Sequence, residues 1–275
     1  MSRVWIDGEL LDAEKARVSP FDHGLLTGDG VFETLRVYRG QPFAARRHLE
    51  RLASSAAAMG LPCPDSALLR LVMDEVIAAN GFESARLRIT LTGGPSPLGS
   101  GRGDGAPTVI VAGGPLTRWP PATAVVTVPW PRNERGALVG VKTISYGENV
   151  VAMAFARERG AGEAIFGNLA GNLCEGTGTN VFVAVGGRLV TPPLSSGCLA
   201  GVTRDLLLEL LDVVEDDLPL SALASAGEAF LSSSTREVQP ISAVDGQVLP
   251  TSVEGGFTGT ARARFRVLVQ RDIDP

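Results

Sequence analysis

Lysine occurs only at Lys15 and Lys142 in this chain of 275 residues, and every other fixed positive side chain is arginine. An amine that must shed its proton and attack a carbonyl cannot be exchanged for a guanidinium, which stays protonated and is a poor nucleophile. Lys142, within Gly140-Val-Lys-Thr-Ile-Ser-Tyr146, is therefore a candidate Schiff-base lysine. The alternative is an ordinary surface cation in an arginine-rich composition. Two other stretches offer donors to an anion. Gly201-Val202-Thr203 precedes a predicted helix, whose first free amides and hydroxyl suit a phosphate. Ser232-Ser233-Ser234-Thr235 sets four hydroxyls at a predicted strand end. Each taken alone is equally an ordinary cap or turn. Together with a lone lysine they suggest a phosphate-bearing cofactor beside an amine nucleophile. Pyridoxal 5'-phosphate needs that pair, and also a carboxylate at its ring nitrogen.

The elements that must position these residues follow from periodicity and punctuation. A hairpin, Arg3–Ile6 and Glu9–Leu11, turns at Asp7-Gly8. The loop Gly28-Asp29-Gly30 leads into a strand, Val31–Tyr38, whose alternation puts Phe32, Thr34 and Arg36 on one face. Helices are predicted over Arg46–Met59 and Ser66–Ala79, each closed by a glycine. In the strand Ala85–Leu91, Arg86 and Arg88 alternate with Leu87 and Ile89; a solvated face is the ordinary reading and an anion pocket the other. A strand over Thr108–Ala112 precedes the proline-rich stretch Gly113–Ala122, where a domain boundary is expected. This gives a small domain over 1–113, a linker over 114–122 and a larger cofactor-binding domain over 123–275. The second domain is read as strands Ala124–Pro129, Glu163–Gly167, Leu173–Glu175, Asn180–Val185, Arg188–Thr191 and Glu228–Leu231, with helices Glu148–Arg159, one running from the Ala200–Asp205 segment to about Leu211, and Gly259–Ile273.

A formal charge of −5, from 25 basic and 30 acidic residues, argues against nucleic acid or an anionic membrane as partner. Cys63, Cys174 and Cys198 are odd in number and lack a C-x-x-C pair, which argues against a disulfide framework or structural zinc. A cytoplasmic location is expected, since the first residues do not read as a signal peptide and no apolar run reaches the roughly 18 residues of a membrane helix.

The chain resembles the fold-type IV pyridoxal-phosphate enzymes: D-amino-acid aminotransferases, branched-chain aminotransferases and aminodeoxychorismate lyases. The segments that carry the likeness span nearly the whole chain. They are Gly28-Asp29-Gly30-Val31-Phe32-Glu33, His48-Leu49-Glu50-Arg51-Leu52, Glu175-Gly176-x-x-x-Asn180-Val181-Phe182, Gly201-Val202-Thr203-Arg204-Asp205 and Phe230-Leu231-Ser232. The resemblance implies a two-domain α/β (α+β) fold with the active site between the domains, and a homodimer. It makes Lys142 the Schiff-base lysine that moves a proton between substrate Cα and cofactor C4′, and Glu175 the partner of the pyridine nitrogen. Arg51 is expected on the phosphate, with the Val202 and Thr203 amides and the Thr203 and Ser234 hydroxyls. Tyr146 is expected near the cofactor's phenolic oxygen, as in the branched-chain enzymes.

One departure stands out. The Ser-Pro-Arg-x-His carboxylate trap of D-amino-acid aminotransferases reads Ser96-Pro97-Leu98-Gly99-Ser100 here. Arg88, with Arg36 and the Ser234-Thr235 amides, is expected to replace it beside Phe32, because an unpaired carboxylate in a closing cleft costs several kcal/mol, of order 3 to 5. The expected activity is transfer of an amino group from an amino acid, D ahead of L, to a 2-oxo acid. Aminodeoxychorismate lyase is the alternative. A catalytically silent binding protein fits less well, since the proton-transfer lysine and the nitrogen-binding glutamate are both present.

Overall fold

The computed structural model describes residues 2–250 and 255–275 of the chain. It divides into two compact units. Unit 1 is Met1–Thr117, Val141–Tyr146 and Asp272–Pro275; unit 2 is Arg118–Gly140 and Gly147–Arg271. The segment bearing Lys142, placed by sequence within the second domain, is thus grouped with the first.

Unit 1 contains β1 (Arg3–Ile6), β2 (Glu9–Asp12), α1 (His23–Thr27), β3 (Gly30–Tyr38), β4 (Gln41–Pro42), α2 (Ala45–Ala58), α3 (Ser66–Asn80), β5 (Ser84–Thr92) and β6 (Val109–Gly114). Among the described residues its strands form one sheet in the order β2-β1-β6-β5-β3-β4, antiparallel throughout. Val31, Leu35 and Val37 of β3 and Leu87, Ile89 and Leu91 of β5 point to one face and are buried. They pack with Leu49, Leu52 and Ala56 of α2 and Leu69, Met73 and Val76 of α3 into one core. The two helices bury the stripes that their i, i+3, i+4, i+7 spacing presents.

The start of α2 has an unexpected source. Its N-cap, Ala44, has a left-handed backbone and no side chain able to cap. The Asp274 carboxylate does that work, accepting the Arg46 amide at 2.8 Å, while the Ala44 amide donates to Ile273 O.

Unit 2 contains β7 (Thr123–Thr127), α4 (Gly147–Glu158), β8 (Glu163–Gly167), β9 (Leu173–Gly176), β10 (Asn180–Val185), β11 (Arg188–Thr191), α5 (Val202–Leu210), β12 (Val213–Glu215), β13 (Glu228–Ser233), β14 (Glu237–Val244), β15 (Gln247–Val248) and α6 (Gly256–Arg271). Its sheet runs β12-β11-β10-β13-β14-β7-β8-β9, with β15 paired to β14. The predicted elements are present, with ends that coincide or are shifted by at most three residues. Not foreseen were α1, too short to show a period, and β12, β14 and β15. Pro240 disguises β14, since proline argues against a central strand. It is tolerated because pairing with β7 begins only at Ile241, so the missing N–H breaks no bond on that side. Among the described residues no helix is long and apolar enough to cross a membrane.

Candidate active site

In unit 1 the chemistry sits on both faces of β3. On the face away from the helices the register sets Phe32 opposite Thr90, Thr34 opposite Arg88 and Arg36 opposite Arg86. The two strand faces read separately from sequence are thus one surface. Lys142 arrives beside it on a short extended segment. Phe32 N–H donates to Lys142 O at 3.0 Å, Ile144 N–H to Gly30 O at 2.9 Å, and Lys142 N–H to Ser55 Oγ at 3.2 Å. This close approach accounts for two glycines of the Gly28-Asp29-Gly30 motif. A Cβ on Gly28 would sit 2.6 Å from Ser145 Oγ, and one on Gly30 would sit 2.8 Å from the Ile144 side chain.

The Phe32 ring gathers the functional groups. Lys142 Nζ lies 4.4 Å and Arg88 Cζ 3.8 Å from its centroid, and Tyr146 meets it edge-on at 5.3 Å. Arg36 lies over Tyr38 at 4.5 Å. Two cations on one ring are each attracted by its quadrupole but repel one another, a combination that favours an anion nearby.

Glu33, on the other face of β3, is fully buried against α2. Its carboxylate accepts Arg51 Nε at 2.7 Å and Nη2 at 2.8 Å, a bidentate fork, and His48 Nδ1 at 2.6 Å. His48 and Arg51 are three residues apart, so both reach the same face of α2. Burial pushes the Glu33 carboxyl up, but the Arg51 and His48 charges outweigh it and hold the group well below the carboxylate range. Burial pulls the His48 imidazole down, against the opposing pull of the Glu33 carboxylate. Arg51, expected on a phosphate, is therefore oriented by Glu33.

In unit 2, Glu175 lies on β9 opposite Phe166 of β8. Arg132 stacks on that Phe166 ring at 4.0 Å and brings Nε to 3.2 Å from Glu175 Oε1. Glu175 Oε2 accepts the Leu199 amide at 3.0 Å, while Asn180 Nδ2 donates to Leu199 O at 2.8 Å. The backbone of one residue, Leu199, thus joins the Glu175-to-Asn180 motif to the segment that leads into Gly201-Val202-Thr203. Gly201 caps α5 without any side-chain bond, and a Cβ there would run into the Asn180 side chain. Flanking this clamp, the buried thiols Cys174 and Cys198 are held protonated, mainly by burial and then by Glu175, with Cys198 pushed up to about 11.

The α5 terminus offers a donor set that an anion could take up. Its first amides lack a side-chain cap and Thr203 brings a buried hydroxyl. Ser232 Oγ, opposite Asn180 in the ladder, is buried and makes no hydrogen bond. A dianion fits such a donor set. Ser234 and Thr235 are half-buried in the turn between β13 and β14.

Lys142, Tyr146, Phe32, Arg88, Arg36 and Arg51 are thus gathered in unit 1, and Glu175, Val202, Thr203, Ser234 and Thr235 lie in unit 2. Sequence reasoning missed Arg132 and His48 as neighbours of the expected site residues and Glu33 as the partner of Arg51, while Ser232 figures there only as one of four hydroxyls. Only Glu33 carried a signal, as an acid on the inward parity of an apolar strand, where burial demands a cation.

Among the described residues no group of three or more His, Cys, Asp or Glu could hold a metal ion. A lysine amine set among cations and a clamped carboxylate beside an uncapped helix terminus are the equipment of an enzyme that works through pyridoxal phosphate. The chain belongs to the class IV aminotransferases, whose family model matches residues 30–244, and is a pyridoxal-phosphate-dependent aminotransferase. It is 33% identical to a Methanocaldococcus jannaschii protein named provisionally as a branched-chain-amino-acid aminotransferase, over 96% of this chain and 95% of that one. It is 30% identical to a D-alanine aminotransferase of Bacillus licheniformis, over 93% of each. The crystal structure of a branched-chain aminotransferase from Thermoproteus uzoniensis with norvaline superposes with a TM-score of 0.89 at 30% identity, covering 98% of this chain and 96% of that one.

Proposed function

We propose that this aminotransferase moves the amino group of an amino acid to a 2-oxo acid, with Lys142 as the base at substrate Cα. Pyridoxal phosphate, when bound, supplies the electron sink that stabilises the charge left as Cα loses its proton. Glu175 holds the proton on the ring nitrogen, and Arg132 with the Leu199 amide fixes that carboxylate in direction. Arg51, the Val202 and Thr203 amides and the Thr203 and Ser234 hydroxyls hold the phosphate. Tyr146 stands beside the phenolic oxygen.

The observation that carries the substrate reading is the Arg88–Phe32–Lys142 cluster with Arg36 and Arg86 on the same face. Arginine there suits a carboxylate, which it meets bidentately, and Ser234 and Thr235 amides complete the substrate site. A dicarboxylic acid is therefore read as one of the two substrates. The donor is read as a D-amino acid, on the strength of the Bacillus relative; the branched-chain relatives support an aliphatic amino acid as the other choice. Both sets are assayed with 2-oxoglutarate and with pyruvate. Arg88→Leu and Arg36→Leu, singly and together, are expected to raise the KM for the dicarboxylic partner about tenfold or more. Unchanged KM values would place the carboxylate elsewhere. Aminodeoxychorismate is tested in parallel, and rapid p-aminobenzoate release without transamination would replace this reading with a lyase.

The reading includes a homodimer. Phe21 just before α1, Leu25 on α1 and Leu98 in the loop after β5 are 53%, 69% and 75% exposed, and the Ser96 amide donates to Phe21 O. Apolar side chains so grouped commonly mark an interface. A sedimentation mass of one chain at working concentration would contradict it.

A further inference from the structure

Unit 2 holds a second buried ion pair that neither the cofactor nor the substrate reading uses. Arg236 follows Ser234 and Thr235 in their turn, and its side chain is directed into the protein. Its Nη2 donates to Gly162 O at 2.9 Å and to Glu163 Oε2 at 3.2 Å, Nη1 donates to Gln239 Oε1, and the guanidinium stacks on Trp119 at 3.8 Å. Its amide donates to Ser233 Oγ at 3.2 Å, closing the turn. Gln239 in turn donates to Pro120 O at 2.9 Å.

Glu163 connects this turn to a different loop. Its Oε1 accepts the Thr177 amide at 3.1 Å and the Thr177 hydroxyl, and its Oε2 is 3.5 Å from the Thr179 hydroxyl. Thr177 and Thr179 belong to the link between Glu175 and Asn180. That link is pinned on another side by Asn149 Nδ2, which donates to Thr177 O at 2.6 Å. Gly176 is needed there because a Cβ would run into the Thr179 hydroxyl and also press on the Glu163 side chain at 3.2 Å. Both partners are nearly sealed from water, with side-chain exposures of 4% and 2%. A pair so buried contributes little net stability relative to a well-packed neutral pair, yet removing one partner is strongly destabilising. Its value lies in geometry.

We propose that Arg236 is a positioning residue for the aminotransferase reaction. Through Glu163 it fixes the turn that presents Ser234 and Thr235 relative to the loop that follows Glu175. The proposal rests on the function proposed above, since it assigns those two loops to cofactor and substrate.

The test separates geometry from stability. Arg236→Met, Glu163→Gln, the double variant and Arg236→Lys are compared with the wild-type protein. The readouts are thermal midpoint of the apoprotein, dissociation constant for pyridoxal phosphate by equilibrium dialysis, and KM and kcat for the amino donor. Each of the first two single variants is expected to lower the midpoint. The double variant should recover most of it, because no charge is left unpaired, yet keep a dissociation constant and KM raised about tenfold. Arg236→Lys retains the charge but not the planar fork, so a near-normal midpoint with raised constants is expected. Wild-type constants in the stable double variant and in Arg236→Lys would overturn the positioning role. A wild-type protein that binds no pyridoxal phosphate would overturn the functional reading and this proposal together.

Discussion

The two units hold their charged groups by different means. In unit 1, Arg51 is fixed by a fully buried carboxylate, Glu33, which also bonds His48. In unit 2, Glu175 is fixed by a backbone amide on one oxygen and by a stacked Arg132 on the other, and is itself 14% exposed. A buried ionic cluster fails as stability when one member is removed, because the others are left charged in a poor dielectric. Water can reach Glu175 and screen the Arg132 charge left behind when it is altered, so the change should register chiefly in turnover. Damage on the two sides should therefore be felt in different measurements.

The largest effect is expected at Lys142, where the comparison gives way to chemistry. Lys142→Ala should lower transamination by about 10³-fold or more, the scale of a lost general base, and abolish the near-visible absorbance of covalently held cofactor. Borohydride reduction that labelled Lys15 instead would end the assignment.

Next comes Glu33→Gln, which strands the Arg51 charge and is expected to cost about 3 to 5 kcal/mol of unfolding free energy. The pH dependence has a definite sign. A carboxyl whose folded pKa is depressed stabilises the protein fully above its unfolded value, near 4.5, and the contribution is lost as the pH falls toward the folded value. The deficit of the variant should thus be full at pH 6 and shrink below about pH 4.5, as read by urea titrations across that range. A deficit independent of pH would show that the ion pair is not its origin.

Glu175→Gln should behave oppositely, leaving cofactor retention and unfolding nearly unchanged while slowing turnover about a hundredfold through loss of electrostatic stabilisation. Equal losses of stability at Glu33 and Glu175 would erase the contrast between the units. The smallest effect is expected for Asp274→Ala, which removes the carboxylate capping α2 and should lower stability by about 1 kcal/mol.

The same contrast explains what could be read from sequence. α2, α3, β3 and β5 announce themselves through periodicity, and with them the surface bearing Phe32, Arg36 and Arg88. Lys142 and Glu175 were legible by residue type and by motif. Arg132 was not, because it stands in the irregular stretch after β7, where no period says which way a side chain points. Nor was the link through Leu199, which contributes only its backbone to Glu175 and Asn180. Ser232 and Ser234 are alike in sequence and differ only in whether the strand has ended.

The buried thiols beside Glu175 make that clamp a clock. Cys174 and Cys198 are sealed and protonated, and a thiol reagent attacks only the thiolate. Their labelling must therefore wait for the surrounding segment to open, so the rate of modification measures local opening around Glu175. Cys63, only half-buried, would be replaced by serine first. Labelling rates with and without pyridoxal phosphate would then report, in seconds or hours, how firmly the cofactor closes its own binding loop.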